Sequence, residues 1–354
     1  MKAMLMKQIS RLEENNSPLE LADLPEPVPG ENELLIKVST CGVCHTELDE
    51  IEGRMPPSQL PMILGHQVVG VVAAAGGAAS RFRTAPTRCA APTRQVGERV
   101  GVAWIHSACG KCRHCLEGNE NLCAHFQATG RDVNGGYAEY MSVPEEFCYP
   151  IPPVFSDAEA APLLCAGAIG YRSLKLSGLK NGGNLGLTGF GASAHLVLML
   201  VRHSFPASRV YVFSRSEAER IFARDLGAVW AGDIEEESPE KLSSIIDTTP
   251  VWKPVVEALK NLEPGGRLVV NAIRKEEVDK DYLLHLDYPT HLWMEKEIKS
   301  VANVTRSDVR EFLELAAGIP IRPEFQEFAL IEANRALIEL KTRKIRGAKV
   351  LRIA

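Results

Sequence analysis

The stretch LGLTGFGASAHLVLMLVRH (185–203) decides the architecture of half the chain. A short apolar run, LGLTG (185–189), breaks at a glycine turn and gives way to a longer apolar stretch, ASAHLVLMLVRH (192–203). Those lengths read as buried strand, turn and helix. Within the turn, TGFGASA (188–194) places Gly189, Gly191 and Ala194 in a G-x-G-x-x-A spacing, with Ala192 opening the helix. Glycine there lets the backbone approach a pyrophosphate, which the N–H groups and positive end of the following helix hold. The glycine spacing alone is weak and could mark a plain tight turn. Its strand–turn–helix setting gives it weight.

The alternation continues outward from this turn. RVYVF (209–213) is a second strand, AERIFARDLGA (218–228) a helix, SSIIDT (243–248) a strand and PVVEALKNL (254–262) a helix. GRLVV (266–270) and EIKSVAN (297–303) complete the series. Strands alternating with helices at these lengths predict a doubly wound parallel α/β sheet of the Rossmann type over residues 167–303. At the end of the second strand stand Ser214, Arg215 and Ser216, with no carboxylate in the stretch. An acidic residue there would favour NAD by holding the adenosine ribose. A guanidinium instead can bind a 2′-phosphate, so NADP(H) is expected over NAD(H).

The first part of the chain has a different character. LLIKVST (34–40), QVVGVVAAA (67–75), ERVGVAW (98–104) and YAEYMSV (137–143) are short β-type runs broken by Gly and Pro. They predict an antiparallel, barrel-like domain over residues 1–166. RTAPTRCAAPTRQ (83–95) repeats APTR without an apolar period and reads as a surface loop, with Cys89 an ordinary loop thiol. Residues 304–354 hold a helix at REFLELAAG (310–318), a helical stretch at EANRALIEL (332–340) and a strand at AKVLRIA (348–354). This tail is expected to return to the first domain.

Nine cysteines in 354 residues need explaining, because nothing at the N-terminus reads as an export signal. The cytosol keeps thiols reduced, so a cytoplasmic chain would use them for metals rather than disulfides. CGKCRHCLEGNENLC (109–123) sets Cys109, Cys112, Cys115 and Cys123 in a Cys-x2-Cys-x2-Cys-x7-Cys spacing. Four thiolates so close together can close an all-sulfur tetrahedral shell around a structural zinc. An iron–sulfur cluster is the chemical competitor. Charged residues make up 24% of the chain and the net charge is −5, without a long run of one sign. Such a surface gives nucleic acid no electrostatic footprint. No window approaches the roughly 18 consecutive apolar residues of a membrane span.

CGVCHTELDEIEGR (41–54), LPMILGHQVVG (60–70) and APLLCAGAIGY (161–171) occur in order around the four-cysteine loop and VGERVGVAW (96–104). Together they resemble the zinc-dependent medium-chain alcohol dehydrogenases over nearly the whole chain. The resemblance implies a GroES-like catalytic domain beside the Rossmann domain, with the active site in the cleft between them. It also implies a small alcohol or aldehyde substrate and a homodimer or homotetramer. Cys44, His66 and Cys165 match the catalytic zinc ligands, and an open fourth position suits a Lewis acid. Cys41 is then packing.

By the same match, Thr46 is the hydroxyl that takes the substrate proton, His45 lies near the cofactor pyrophosphate, and Glu47 orients the ligand histidine. Trp104 forms part of the substrate wall. Two positions depart from the pattern. Gln67 stands where the family carries Glu, and Asp49 stands where it ends its proton relay in histidine. A family arginine aligns with Ala348, with Arg346 two residues earlier. The rival expectations are a zinc-free reductase of activated double bonds on the same scaffold, and a four-cysteine redox or nucleic-acid-binding module.

Overall fold

The computed structural model describes residues 1–77, 94–319, 321–342 and 347–353. Cys89 with most of its loop, and Arg346, therefore lie outside the described residues. The chain divides into two compact units: residues 1–165, 304–317 and 322–354, and residues 166–303 with 318–321.

The first unit is built on antiparallel sheet. Strands β1 (Lys2–Met6) and β2 (Leu19–Asp23) pair with each other at the N-terminus. The long strand β3 (Glu33–Val43) leads into helix α1 (His45–Ile51), followed by β4 (Met62–Ile63), which pairs with β1, and by β5 (Val68–Ala75). Next come β6 (Arg99–Val102), β7 (Ile105–Ser107), the short helix α2 (Arg113–Leu116) and β8 (Gln127–Ala128). β9 (Tyr140–Pro144), β10 (Cys148–Pro150) and helix α3 (Asp157–Pro162) complete the run. β3 is the spine: β5 and β9 both pair with it antiparallel. Leu34, Ile36 and Val38 on its inner face are fully buried beside Val68, Val72, Val100 and Val102. Side chains two apart share a face of a strand, so this alternation buries one continuous apolar wall.

The second unit starts at helix α4 (Ala168–Ser177) and carries strands β11 (Asn184–Thr188), β12 (Arg209–Phe213), β13 (Trp230–Gly232), β14 (Leu242–Asp247), β15 (Leu262–Val270) and β16 (Glu297–Ser300). Helices α5 (Ala192–Ser204), α6 (Glu217–Asp225), α7 (Lys253–Leu259) and α8 (Tyr288–His291) lie between them. The six strands are all parallel, in the order β13-β12-β11-β14-β15-β16. Order reverses between β11 and β14, the switch point at which open α/β sheets bind nucleotides outside the strand ends. β11 and β14 are central, and their apolar runs are buried on both faces as such strands require.

Helix α9 (Arg306–Gly318), strand β17 (Phe325–Ala329), helix α10 (Ala333–Lys341) and strand β18 (Ala348–Arg352) end the chain. β18 pairs antiparallel with β3 and parallel with β17, so the tail joins the first unit's main sheet. The sequence did not announce β1, β2 or β17. Among the described residues, no helix is long and apolar enough to cross a membrane.

At the carboxyl ends of β11 and β14 the second unit holds a buried ion pair. Lys275 contacts Asp247, whose side chain is fully buried, and also donates to the carbonyls of Thr249 (2.7 Å) and Val251 (2.9 Å). Asp247 accepts from the hydroxyls of Thr188 and Thr249 as well, at 2.5 and 2.8 Å. Breaking one half of such a pair strands a charge in low dielectric. Lys275→Met should cost about 3–5 kcal/mol of stability in denaturant unfolding, most of it recovered when Asp247→Asn is added.

Candidate metal centre and cofactor loop

Helix α1 begins at a ligand candidate. Cys44 is its N-cap in extended conformation, and its Sγ accepts from the Thr46 N–H at 3.4 Å. The Glu47 carboxylate folds back over the helix start, where Oε2 accepts the Cys44 N–H at 2.7 Å. Its other oxygen, Oε1, lies 2.7 Å from His66 Nδ1. One buried carboxylate therefore ties the cysteine's backbone to the histidine's ring. With Nδ1 facing a carboxylate, the histidine presents Nε2 as its donor atom, as metal-binding imidazoles do.

His66 Nε2 stands 3.3 Å from Cys165 Sγ and 3.7 Å from Cys44 Sγ. All three donor atoms lie within 4.8 Å of one another. Two sulfurs and one imidazole nitrogen at this separation fit a tetrahedral divalent ion with one position to spare. Electrostatics point the same way. The hydrogen bond with Cys165 and burial hold the Cys44 thiol well above its ordinary range, a cost that a cation takes away by binding the thiolate. Burial alone would depress His66, but the Glu47 carboxylate and Cys44 outweigh it and hold the ring well above the usual imidazole range.

Two backbone features deliver these ligands. Gly65 precedes His66 with φ +95°, a left-handed conformation that disfavours side chains. A Cβ there would also come within 2.4 Å of the Tyr137 ring and 2.8 Å of Cys41 Sγ. The glycine in LGHQ is thus fixed by what packs over it. Cys165 sits in a π-helical turn, Leu163–Gly167, which runs on from α3. Such turns widen the backbone and recur at functional sites. On β6, a Cβ at Gly101 would meet Leu164 at 2.8 Å, so glycine lets that turn pack close.

The remaining candidates are placed as follows. Thr46 is half-buried and His45 exposed on α1. Asp49 is buried, and its carboxylate accepts from Arg54 Nε at 2.5 Å. Gln67 is buried with its amide against Gly42, where a Cβ would come within 2.7 Å of Oε1. Trp104 is 5% exposed, with Phe126 5.3 Å away and the Arg131 guanidinium 5.3 Å above its ring.

The four cysteines of the 109–123 loop also converge, with all four sulfurs within 4.8 Å of one another. Backbone N–H groups of Cys112 and His125 point at the sulfurs of Cys109 and Cys123, both at 3.4 Å. N–H bonds from Lys111 and Cys112 lower the Cys109 thiol to about 6, while burial and its thiol neighbours raise Cys115 to about 12. Four soft donors with no gap between them suit a closed structural shell.

In the second unit, Gly191 is the N-cap of the 13-residue helix α5, and no side chain caps it. The N-cap residue thus leaves the first-turn N–H groups uncovered. A Cβ on Gly191 would meet nothing within 4 Å, so the space over the helix start is open. Gly189 has φ +73°, and a Cβ there would press on Thr248 and Thr249 at 3.0 Å. Ala192 is half-buried at the helix start and Ala194 fully buried beneath it. At the end of β12, Arg215 is exposed and Ser214 buried. The sequence stretch showed no acid here, but Glu219 reaches back from α6 to accept the Ser214 hydroxyl at 2.5 Å.

One unit thus carries a six-stranded parallel sheet with an open glycine turn, the arrangement of nucleotide-binding folds, and the other holds two thiol-rich donor clusters. Comparison with known proteins makes the class specific. Residues 30–153 match the alcohol dehydrogenase GroES-like domain. The chain is 40% identical over 339 residues to a probable alcohol dehydrogenase of Mycobacterium tuberculosis, covering 96% of this chain and 94% of that protein. It is 32% identical to an alcohol dehydrogenase of Geobacillus stearothermophilus, covering 95% and 96%. A cobalt- and zinc-bound thermostable alcohol dehydrogenase from Pyrobaculum aerophilum shares the fold, with a TM-score of 0.82 at 22% identity over 100% of this chain and 99% of that one. The chain belongs to the medium-chain, zinc-type alcohol dehydrogenase family, and it is an oxidoreductase.

Because Glu47 holds both the Cys44 backbone and His66, Glu47→Ala should weaken metal binding at the three-ligand set by about 10–100-fold. Chelator competition would read this, with the four-cysteine loop unaffected as internal control.

Proposed function

We propose that the protein interconverts a small alcohol and its aldehyde or ketone, using zinc at Cys44, His66 and Cys165 and hydride exchange with NADP(H). The observation that carries this reading is the convergence of two thiols and a carboxylate-oriented imidazole within 4.8 Å. A divalent ion held there would act as a Lewis acid on the substrate oxygen. The chain's own groups do the rest. Thr46, two residues beyond Cys44, takes the hydroxyl proton. Asp49 follows on the same helix, and its ion pair with Arg54 holds the carboxylate in place. Trp104 contributes to the substrate wall, and Gln67 leaves the metal surroundings one carboxylate poorer than the family pattern. The four-cysteine loop holds the second, structural zinc. Reduced thiols in both sets suit a cytoplasmic setting.

The glycine turn and α5 N-terminus take the pyrophosphate, with His45 as a further contact. Arg215, exposed at the end of β12, takes a 2′-phosphate. Residues 1–166 and 304–354 form the catalytic domain and 167–303 the cofactor domain. A second copy pairs along β16: all four of its residues are exposed at the sheet edge, with Tyr288, Trp293 and Met294 more than half exposed nearby. Unpaired strand edges of this kind are templates for a partner strand.

Metal analysis should find two zinc ions per chain, falling to one with loss of turnover in Cys44→Ser. A single zinc in the wild type would favour the zinc-free reductase reading. Arg215→Ala should raise KM for NADP(H) by roughly tenfold or more and leave NAD(H) kinetics unchanged, the loss expected for one charged hydrogen bond. Equal use of both cofactors by the wild type would defeat the 2′-phosphate assignment.

A further inference from the structure

Behind the Glu47–His66 contact lies a group that the proposed chemistry does not use. Glu50 is on α1, one turn after Glu47, and is fully buried. Among the described residues, neither of its carboxylate oxygens has a hydrogen-bond partner. The phenol oxygen of Tyr137, the ring that covers Gly65, is likewise buried and without a hydrogen-bond partner among the described residues. Glu50 and Tyr137 feel one another electrostatically, and both feel Glu47. Arg131 and His66 oppose, and Glu47 and Asp49 add to, the burial that pushes the Glu50 carboxyl well above its ordinary range. A naked carboxylate at such a place costs several kcal/mol or more, so the site must take up a proton, water or both. Buried polar clusters of this kind hold internal water where two or more groups can bond it.

We propose that Glu50 is a positioning residue of the metal centre: as a neutral acid it donates, through internal water shared with Tyr137, to the Glu47 carboxylate and so keeps Glu47 on His66. The role rests on the zinc reading of Cys44, His66 and Cys165. It explains how a third acid fits on a seven-residue helix beside two carboxylates. An ionised Glu50 would repel Glu47 across one helical turn, whereas a proton donor steadies it. It also places a carboxyl group near the histidine in a chain that has given one up at Gln67.

Holoenzyme, Glu50→Gln and Glu50→Leu decide the matter. The infrared difference spectrum of wild type minus Glu50→Gln at neutral pH should show one protonated carboxylic-acid carbonyl band lost. Zinc release from the three-ligand set to a chelator should be within twofold of wild type in Glu50→Gln, whose amide still donates. It should be about tenfold faster in Glu50→Leu, at the lower end for groups that orient a metal-bound histidine. The four-cysteine zinc serves as control for intact folding. Should Glu50→Leu not fold, Tyr137→Phe, which removes only the shared hydroxyl, should show a smaller acceleration of the same kind. Absence of the acid band, or wild-type zinc retention in Glu50→Leu, or in Tyr137→Phe where that stands in, would overturn the role. Two zincs with either of those results would sink this proposal alone. One zinc in the wild type would sink the metal reading with it.

Discussion

The donor cluster of the first unit depends on a single carboxylate gripping two separate segments of the chain. Glu47 caps the backbone of Cys44 with one oxygen and meets His66 with the other. The two contacts are worth more together than apart, because each fixes the rotamer that the other needs. A free glutamate loses side-chain entropy when it is ordered, and here one ordering serves two contacts. The result is that a helix start and a strand-side loop, 22 residues apart in sequence, share a common origin of coordinates. Cys165 then needs only to be brought to that origin by the widened turn after α3.

Burial turns this grip into a constraint on the neighbours. The Tyr137 ring and Cys41 sulfur occupy the space where residue 65 would carry a side chain, so position 65 has no choice but glycine. Cys41, close in sequence to a ligand, is fully buried and packs there. Hydrophobic packing and placement of His66 are here the same act: Tyr137 belongs to the buried cluster that includes β3 and β5 residues, and its ring lies against Gly65, next to His66. Interiors packed this densely transmit small displacements, so a change at the ring would reach His66.

Much of this was legible in the sequence, and the divide between what was and was not has a physical basis. The parallel sheet announced itself because buried strands and helices differ in length and are punctuated by glycine, as at 185–203. The four-cysteine loop was legible because all its donors fall within one short loop. The three-ligand set could be read only through several ordered motifs, since Cys165 lies 99 residues from His66 and nothing local marks a lone cysteine as a ligand. Glu50 was invisible for a related reason. A glutamate in HTELDEIEG looks like any solvated helix residue until the assembled fold buries it. β1 and β2 were missed because each is only five residues long and the twelve residues between them exceed a tight hairpin turn. Glu219 escaped because it approaches Ser214 from a helix rather than from the strand that carries the familiar acid.

The two donor clusters therefore stand at opposite ends of a scale of locality. The loop of Cys109 to Cys123 closes over a short span, with backbone N–H groups already aimed at its sulfurs and one thiol lowered to about 6. Such a knuckle can gather a metal before the rest of the unit is complete, since loop-closure cost grows only slowly with length and is least here. The other set closes over more than a hundred residues and has no meaning until β3, β5 and the turn after α3 are assembled. Metal held there is bound by the folded state alone, so its binding energy adds to the stability of the whole unit rather than of a loop. The same dependence leaves the site's geometry answerable to distant packing, because the fold, rather than a fourth thiol, holds the three donor side chains together.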